Sequence, residues 1–175
     1  MKHGVALDDE AGVAALAVGL PATFHDHAVW LAEENVTDAI RAEAVGEGAS
    51  KVAALPAVRA ARIDRQRAYR QAPGLVADGR DMGSVVFFDA PLKVFLTASA
   101  AQRAERRHKQ LISKGIDANI DSLRADLEAR DARDKSRSAA PLKPAEDALN
   151  LDNSEMSIEQ SVDLVLQWWG QRRPF

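Results

Sequence analysis

An α/β fold, with part of a parallel sheet flanked by helices and a small hairpin ahead of it, follows from three observations. Apolar runs at about 74–78, 92–97 and 148–152 have the length of strands. Stretches of helical spacing separate them, the alternation that builds a parallel sheet. Near the start, Ala22-Thr23-Phe24 and Ala28-Val29-Trp30-Leu31 alternate on either side of His25-Asp26-His27, which reads as a hairpin.

Composition sets the outer limits. With 175 residues, 46% hydrophobic and 28% charged, the chain suits one domain with a real core. The net charge of −3 conceals segments dense in arginine, so local charge says more than the sum. The absence of cysteine excludes a disulfide framework, a thiolate metal site and a cysteine nucleophile. His3, His25, His27 and His108 fall in no metal-ligand spacing, so no metal site is expected from them. Val13 to Leu20, the longest apolar run, is too short to span a bilayer, and nothing resembles a signal peptide. The expectation is a cytoplasmic protein with no membrane partner.

Asp8 is the expected N-cap of a first helix from Asp9 to about Val18, stopped by Gly19 and Pro21. After the hairpin, Glu33-Glu34-Asn35 should turn, and helical pattern runs from about Thr37 to Leu55. Pro56 breaks it, and another helix continues to about Gln71 with Arg59, Arg62, Arg65, Gln66, Arg67 and Arg70. This basic density lacks interleaved aromatics, which argues for a solvated face or a lining for small anions and against a nucleic-acid polymer.

The apolar run Leu75-Val76-Ala77 then ends in Asp78-Gly79-Arg80-Asp81-Met82-Gly83. A buried parallel strand delivers polar groups to a ligand at its carboxyl end in this way. A tight turn with Asp78 and Arg80 paired to each other gives the same local pattern. Ser84 to Phe87 reads as an apolar turn, Pro91 to Thr97 as a strand, and Ala100 to about Leu111 as a helix bearing Arg103, Arg106 and Arg107. Ser113-Lys114-Gly115 ends that helix, and another begins near Ile120. If it persists, Arg130, Asp134 and Arg137 at i, i+4 and i+7 share a face, either as a binding surface or as an exposed ion-pair ladder. Ala148 to Asp152 is the last strand. Ser157 and Gln160 then form a capping box ahead of Ile158, Val162, Val165, Leu166 and Trp169, an apolar stripe expected to pack on the core, with Arg172 and Arg173 as a solvated tail.

Taken together, Asp78 to Phe87, Asp89-Ala90-Pro91-Leu92-Lys93, Arg130 to Arg137 and Ala140-Pro141-Leu142-Lys143-Pro144-Ala145 resemble bacterial cytidylate kinase. The similarity extends upstream through Ala49 to Arg59 and downstream through Leu151-Asp152 and Ser157 to Gln160. Several motifs in order at compatible spacing are more specific than any one of them. The resemblance implies a P-loop nucleoside monophosphate kinase-like sheet and phosphoryl transfer from ATP to CMP or dCMP with Mg2+. It implies base recognition by Ser50, Arg59 and Asp81, the Asp81 carboxylate accepting from the exocyclic amino group of cytosine. It places Arg130 and Asp134 on the sugar, Arg137 over the bound nucleotide, Arg80 beside the acceptor phosphate and Arg106 as an ATP contact. Arg80, Arg130 and Arg137 are the implied catalytic set, since phosphoryl transfer asks chiefly for alignment and charge neutralisation. Within one domain the resemblance assigns about 8–44 to a nucleotide-binding insert, about 45–102 and 145–175 to the core and about 103–144 to a mobile lid. It favours a monomer.

The family's opening strand and its G-x-x-x-x-G-K-[ST] loop, which cradles the donor phosphates, have no counterpart in the residues given. The expectation is a truncated domain, poorly stable when made alone. Two alternatives accompany the kinase: a non-catalytic remnant that still binds a pyrimidine nucleotide, and a kinase acting on UMP or AMP.

Overall fold

The structure is a computed structural model and describes residues 4–138 and 140–172. They form two compact units, one reaching to Val76 and including Arg137 and Ser138, the other made of Ala77–Ser136 and the residues from Ala140 onward.

In the first unit, helix α1 spans Glu10–Val18 and is capped by Asp9, whose carboxylate accepts from the Gly12 amide at 3.0 Å. The cap therefore falls one residue later than the expected Asp8. The reason lies in Gly12: a Cβ there would stand 2.4 Å from Asp9 Oδ2, so the glycine makes room for the capping carboxylate. The hairpin forms as read, with β1 (Ala22–His25) antiparallel to β2 (Ala28–Leu31) and Thr23 opposite Trp30. Glu34–Asn35, expected as a turn, is instead a third short strand, β3, paired with β2 through Leu31 and Trp30. Asp26, His27 and Ala32 take positive φ, which carries the chain through both tight reversals.

The long helix expected over 37–55 is divided. Thr37 Oγ1 accepts from the Val29 amide at 2.9 Å and donates to Asn35 Oδ1 at 2.7 Å, so Thr37 belongs to the end of the hairpin. A single 3₁₀ turn over Ala39–Arg41 follows, extended backbone at Ala42 interrupts it, and helix α2 spans Glu43–Val52. Helix α3, Pro56–Ala68, starts on proline and stops short of Gln71. The Tyr69 and Arg70 amides tighten its end with bonds to the carbonyls of Gln66 and Arg67. Glu10 of α1 accepts from the Ala57 amide at 2.6 Å, satisfying an orphan donor at the start of α3. Arg65 of α3 donates to the carbonyls of Leu20 at 2.5 Å and Ala22 at 2.6 Å. With the edge-to-face pair Phe24–Tyr69, this guanidinium fixes the hairpin against α3.

In the second unit the run at 74–78 leads in from the first without forming a strand. Val76 is 100% exposed, and strand β4 (Val94–Thr97) has its ladder with β5 (Leu149–Asp152) alone among the described residues. Without a neighbouring strand an extended apolar run gains neither ladder bonds nor burial, which is why apolarity alone misleads here. The pair β4–β5 is parallel, Leu96 opposite Leu151, as the α/β alternation requires. Between Asp81 and Phe87 the chain makes a π turn over Met82–Val86, in which the Val86 amide reaches the Asp81 carbonyl at 3.2 Å and the Phe87 amide the Met82 carbonyl at 2.7 Å. Val86 and Phe87 are buried, with Ala104, Leu123 and Leu151.

Helix α4 (Ala100–Ile112) is capped by Ser99, and helix α5 spans Ile120–Ser136. Arg103 of α4 makes a two-pronged ion pair with Asp131 of α5. Helix α6 (Ile158–Arg172) carries the expected capping box: the Gln160 amide donates to Ser157 Oγ at 3.1 Å, and the Ser157 amide to Gln160 Oε1 at 2.8 Å. Its apolar stripe is not core, however. Ile158, Val162, Leu166 and Trp169 are exposed and Val165 is half-buried. Arg172, expected in a solvated tail, is part of α6 and donates to the Asp147 carbonyl at 3.0 Å; Arg173 lies outside the described residues.

Candidate active site

Arg80 and Asp134 meet. The Arg80 Nε–H donates to Asp134 Oδ2 at 3.0 Å, joining the end of the irregular approach segment to the last turn of α5. Their environments differ sharply, the Asp134 side chain being 2% exposed and that of Arg80 40%. Arg80 thus pairs across 54 positions of sequence and not with its neighbour Asp78. The backbone completes the hold on the carboxylate residue, the Leu142 amide donating to the Asp134 carbonyl at 2.8 Å.

Asp81 follows directly, at the mouth of the π turn. Its carbonyl accepts from the amides of Val85 at 2.9 Å and Val86 at 3.2 Å. A π turn is a local departure from helical regularity that recurs at functional sites. Here it rests on the buried Val86 and Phe87, so the polar pair Arg80-Asp81 is delivered from an anchored base.

Arg130 stands one helical turn before Asp134 on α5, on the same face. Among the described residues its Nε is buried without a hydrogen-bond partner, and so is Nη1 of Arg133. A buried guanidinium donor left unmatched is costly, and the group that satisfies such donors best is an oxyanion. Arg133 was not among the residues singled out from sequence. Its place beside Asp134 in Arg130-Asp131-Ala132-Arg133-Asp134 gave only charge, whereas its orphaned donor is visible from burial. The other expected member of this face, Arg137, is not on it: α5 ends at Ser136, and Arg137 belongs to the first unit.

Ser50 and Arg59 are also in the first unit. Ser50 is buried in α2, and Arg59 reaches back over the Pro56 break to donate to the Ala53 carbonyl at 3.1 Å. Arg106 is held at the approach to α6, donating to Asn153 Oδ1 at 3.0 Å and to the Asn153 carbonyl at 2.5 Å. Among the described residues no three histidine, cysteine, aspartate or glutamate side chains gather into a metal-binding group. No described helix is long and apolar enough to cross a membrane.

The class is thus an α/β protein with a parallel strand pair and an arginine-rich helix built around one buried carboxylate. Comparison with known proteins narrows it. The family model for cytidylate kinase matches residues 1–171. A cytidylate kinase of Chromobacterium violaceum is 56% identical over 172 residues, 98% of this chain and 78% of the relative. One of Cupriavidus necator is 56% identical over 173 residues, 99% and 78% of the two chains, and one of Burkholderia mallei 57% over 169 residues, 97% and 74%. The chain belongs to the cytidylate kinase family.

Proposed function

We propose that this chain is a nucleoside monophosphate kinase that moves the γ-phosphoryl group of ATP to CMP or dCMP, giving CDP or dCDP. Membership of the family supports the reaction. The observation that carries its location is the Arg80–Asp134 pair with the unmatched donors of Arg130 and Arg133 beside it on α5. The sugar and phosphate oxygens of a nucleotide supply the acceptors those donors lack.

In this reading ATP supplies the phosphoryl group, and the protein's residues bind and align. Arg80 neutralises the acceptor phosphate, while Asp134, held by Arg80, and Arg130 take the sugar. Ser50, Arg59 and Asp81 read the base, Asp81 accepting from an amino group that uracil does not offer. Arg137 closes over the nucleotide and Arg106 contacts ATP in a lid formed by about 103–144, whose closure keeps water from competing as acceptor. About 8–44 is the nucleotide-binding insert, and the remainder is core. The orphaned guanidinium donors fit phosphoryl oxygens. Among the described residues no three His, Cys, Asp or Glu side chains gather into an all-protein metal cage, and Mg2+ carried on the phosphates of ATP does not require one. The protein works as a cytoplasmic monomer on small nucleotides.

Calorimetric titration with CMP, dCMP, UMP and AMP, alongside CDP formation from CMP and ATP, tests this. CMP and dCMP should bind at least about tenfold more tightly than UMP, the discrimination expected from one base-edge hydrogen bond. Equal affinity for all four, or none for CMP, defeats the reading.

A further inference from the structure

Behind the π turn lies a contact that the family motifs do not explain by charge pattern alone. Lys93, the residue before β4, has a side chain only 9% exposed. Its stem runs against Gly83 in the π turn: a Cβ on that glycine would stand 3.2 Å from Lys93 Cγ and 3.3 Å from Cδ. Its ammonium group donates to the Phe88 carbonyl at 2.5 Å and to both carboxylate oxygens of Asp147, at 2.8 and 2.9 Å. The Lys93 carbonyl in turn accepts from the Leu149 amide at 2.9 Å, opening the β4–β5 ladder. One residue therefore touches the inside of the π turn, its exit and the start of both parallel strands.

We infer that Lys93 is a positioning residue for the acceptor nucleotide, locking the Met82–Val86 turn to the sheet so that Arg80 and Asp81 are presented in one geometry. The inference rests on the acceptor-side role proposed above for Arg80 and Asp81. A surface lysine that merely paired with Asp147 would not need its stem buried on a glycine or its head on a backbone carbonyl. Lys93 has all three partners at once, and the carbonyl it holds is two residues past the end of the turn. Because Lys93 grips the turn that carries Arg80 and Asp81, its effect should fall on CMP and not on ATP.

The test is Lys93→Met, which keeps the stem and removes the donor. CMP affinity should fall about tenfold, the scale of a small misplacement of binding groups, with ATP affinity changed less than about twofold. The amides of Val85, Val86 and Phe87 should exchange with solvent faster than in the wild type while those of α5 do not. Lys93→Arg, which can still reach both acceptors, should restore CMP binding. Gly83→Ala approaches the contact from the other side and should weaken CMP severalfold with Lys93 present, which keeps the test available if Lys93→Met does not fold. Equal losses for CMP and ATP, or CMP binding unaltered in both Lys93→Met and Gly83→Ala, overturn the inference. A wild-type chain without CMP affinity overturns it together with the proposed function, whereas a wild type that binds CMP as Lys93→Met does overturns this inference alone.

Discussion

Two ion pairs flank the π turn, and they are built in opposite ways. Ahead of it, Arg80–Asp134 buries the anion and leaves the cation 40% exposed. Behind it, Lys93–Asp147 buries the cation and leaves the anion 59% exposed. The difference separates what each can do. A half-exposed guanidinium on a buried carboxylate keeps donors free to turn toward an incoming phosphate, while a buried ammonium with three acceptors is committed to holding the chain. In the proposed reading, recognition belongs in front of the turn and scaffolding behind it.

The largest effect should come from breaking the front pair. Arg80→Met removes the Arg80 guanidinium from the buried Asp134 carboxylate. Losing a fully buried pair costs about 3–5 kcal/mol, and because Arg80 is 40% exposed to screening water the expected loss is about 1–3 kcal/mol in urea unfolding. CMP binding should disappear in the same variant. An Arg80→Met protein as stable as the wild type and binding CMP normally would remove the distinction between the two pairs.

A smaller and pH-dependent effect belongs to the rear pair. The hydrogen bond from Lys93 holds the Asp147 carboxyl below the ordinary aspartate range. A group whose folded value is depressed stabilises above its unfolded value of about 3.9 and loses that contribution as pH falls through the folded value. Asp147→Asn should therefore be less stable than the wild type at neutral pH, and the gap should shrink as pH falls below the ordinary aspartate value and close once it has passed the depressed folded one, as acid titration of the melting midpoint would show. A gap that persists at low pH would mean that the exposed carboxylate contributes by packing and not by charge. The smallest effect is expected at Arg124–Glu128, an exposed i,i+4 pair at 2.9 Å on α5. Glu128→Gln should leave stability and CMP binding unchanged within error, since exposed pairs contribute little.

Much of this arrangement was legible in the chain before any coordinates. The hairpin, the β4–α4 unit, the β5 strand and the Ser157/Gln160 cap follow from local chemistry, because alternation, turn residues and capping oxygens act over a few residues. What failed depended on neighbours. Among the described residues, Leu75-Val76-Ala77 has the composition of a strand but no strand beside it, and the stripe from Ile158 to Trp169 has the spacing of a core face but is largely exposed. Periodicity specifies which residues share a side and is silent on what covers that side. The site divides in the same way. Arg80, Asp81, Arg130 and Asp134 are proposed on motif resemblance, while the Arg80–Asp134 pairing spans 54 positions and is visible only in the fold. Arg133 and Lys93 were passed over because their distinguishing features, an orphaned buried donor and a stem laid on a glycine, are properties of burial and not of sequence spacing.

The π turn also acts as a counter of residues. Closing its rings from i to i+5, it holds one residue more than an α turn would between the same two anchors. Deleting a single residue from Met82–Val86 would let the turn relax to α geometry, and each residue of such a helix advances the chain by about 100°. With Val86 and Phe87 fixed in the interior, that rotation would fall wholly on the upstream side. Asp81 would swing to the bearing now held by its neighbour, and Arg80 would leave Asp134. The extra residue thus sets the compass heading of the two side chains in front of the turn.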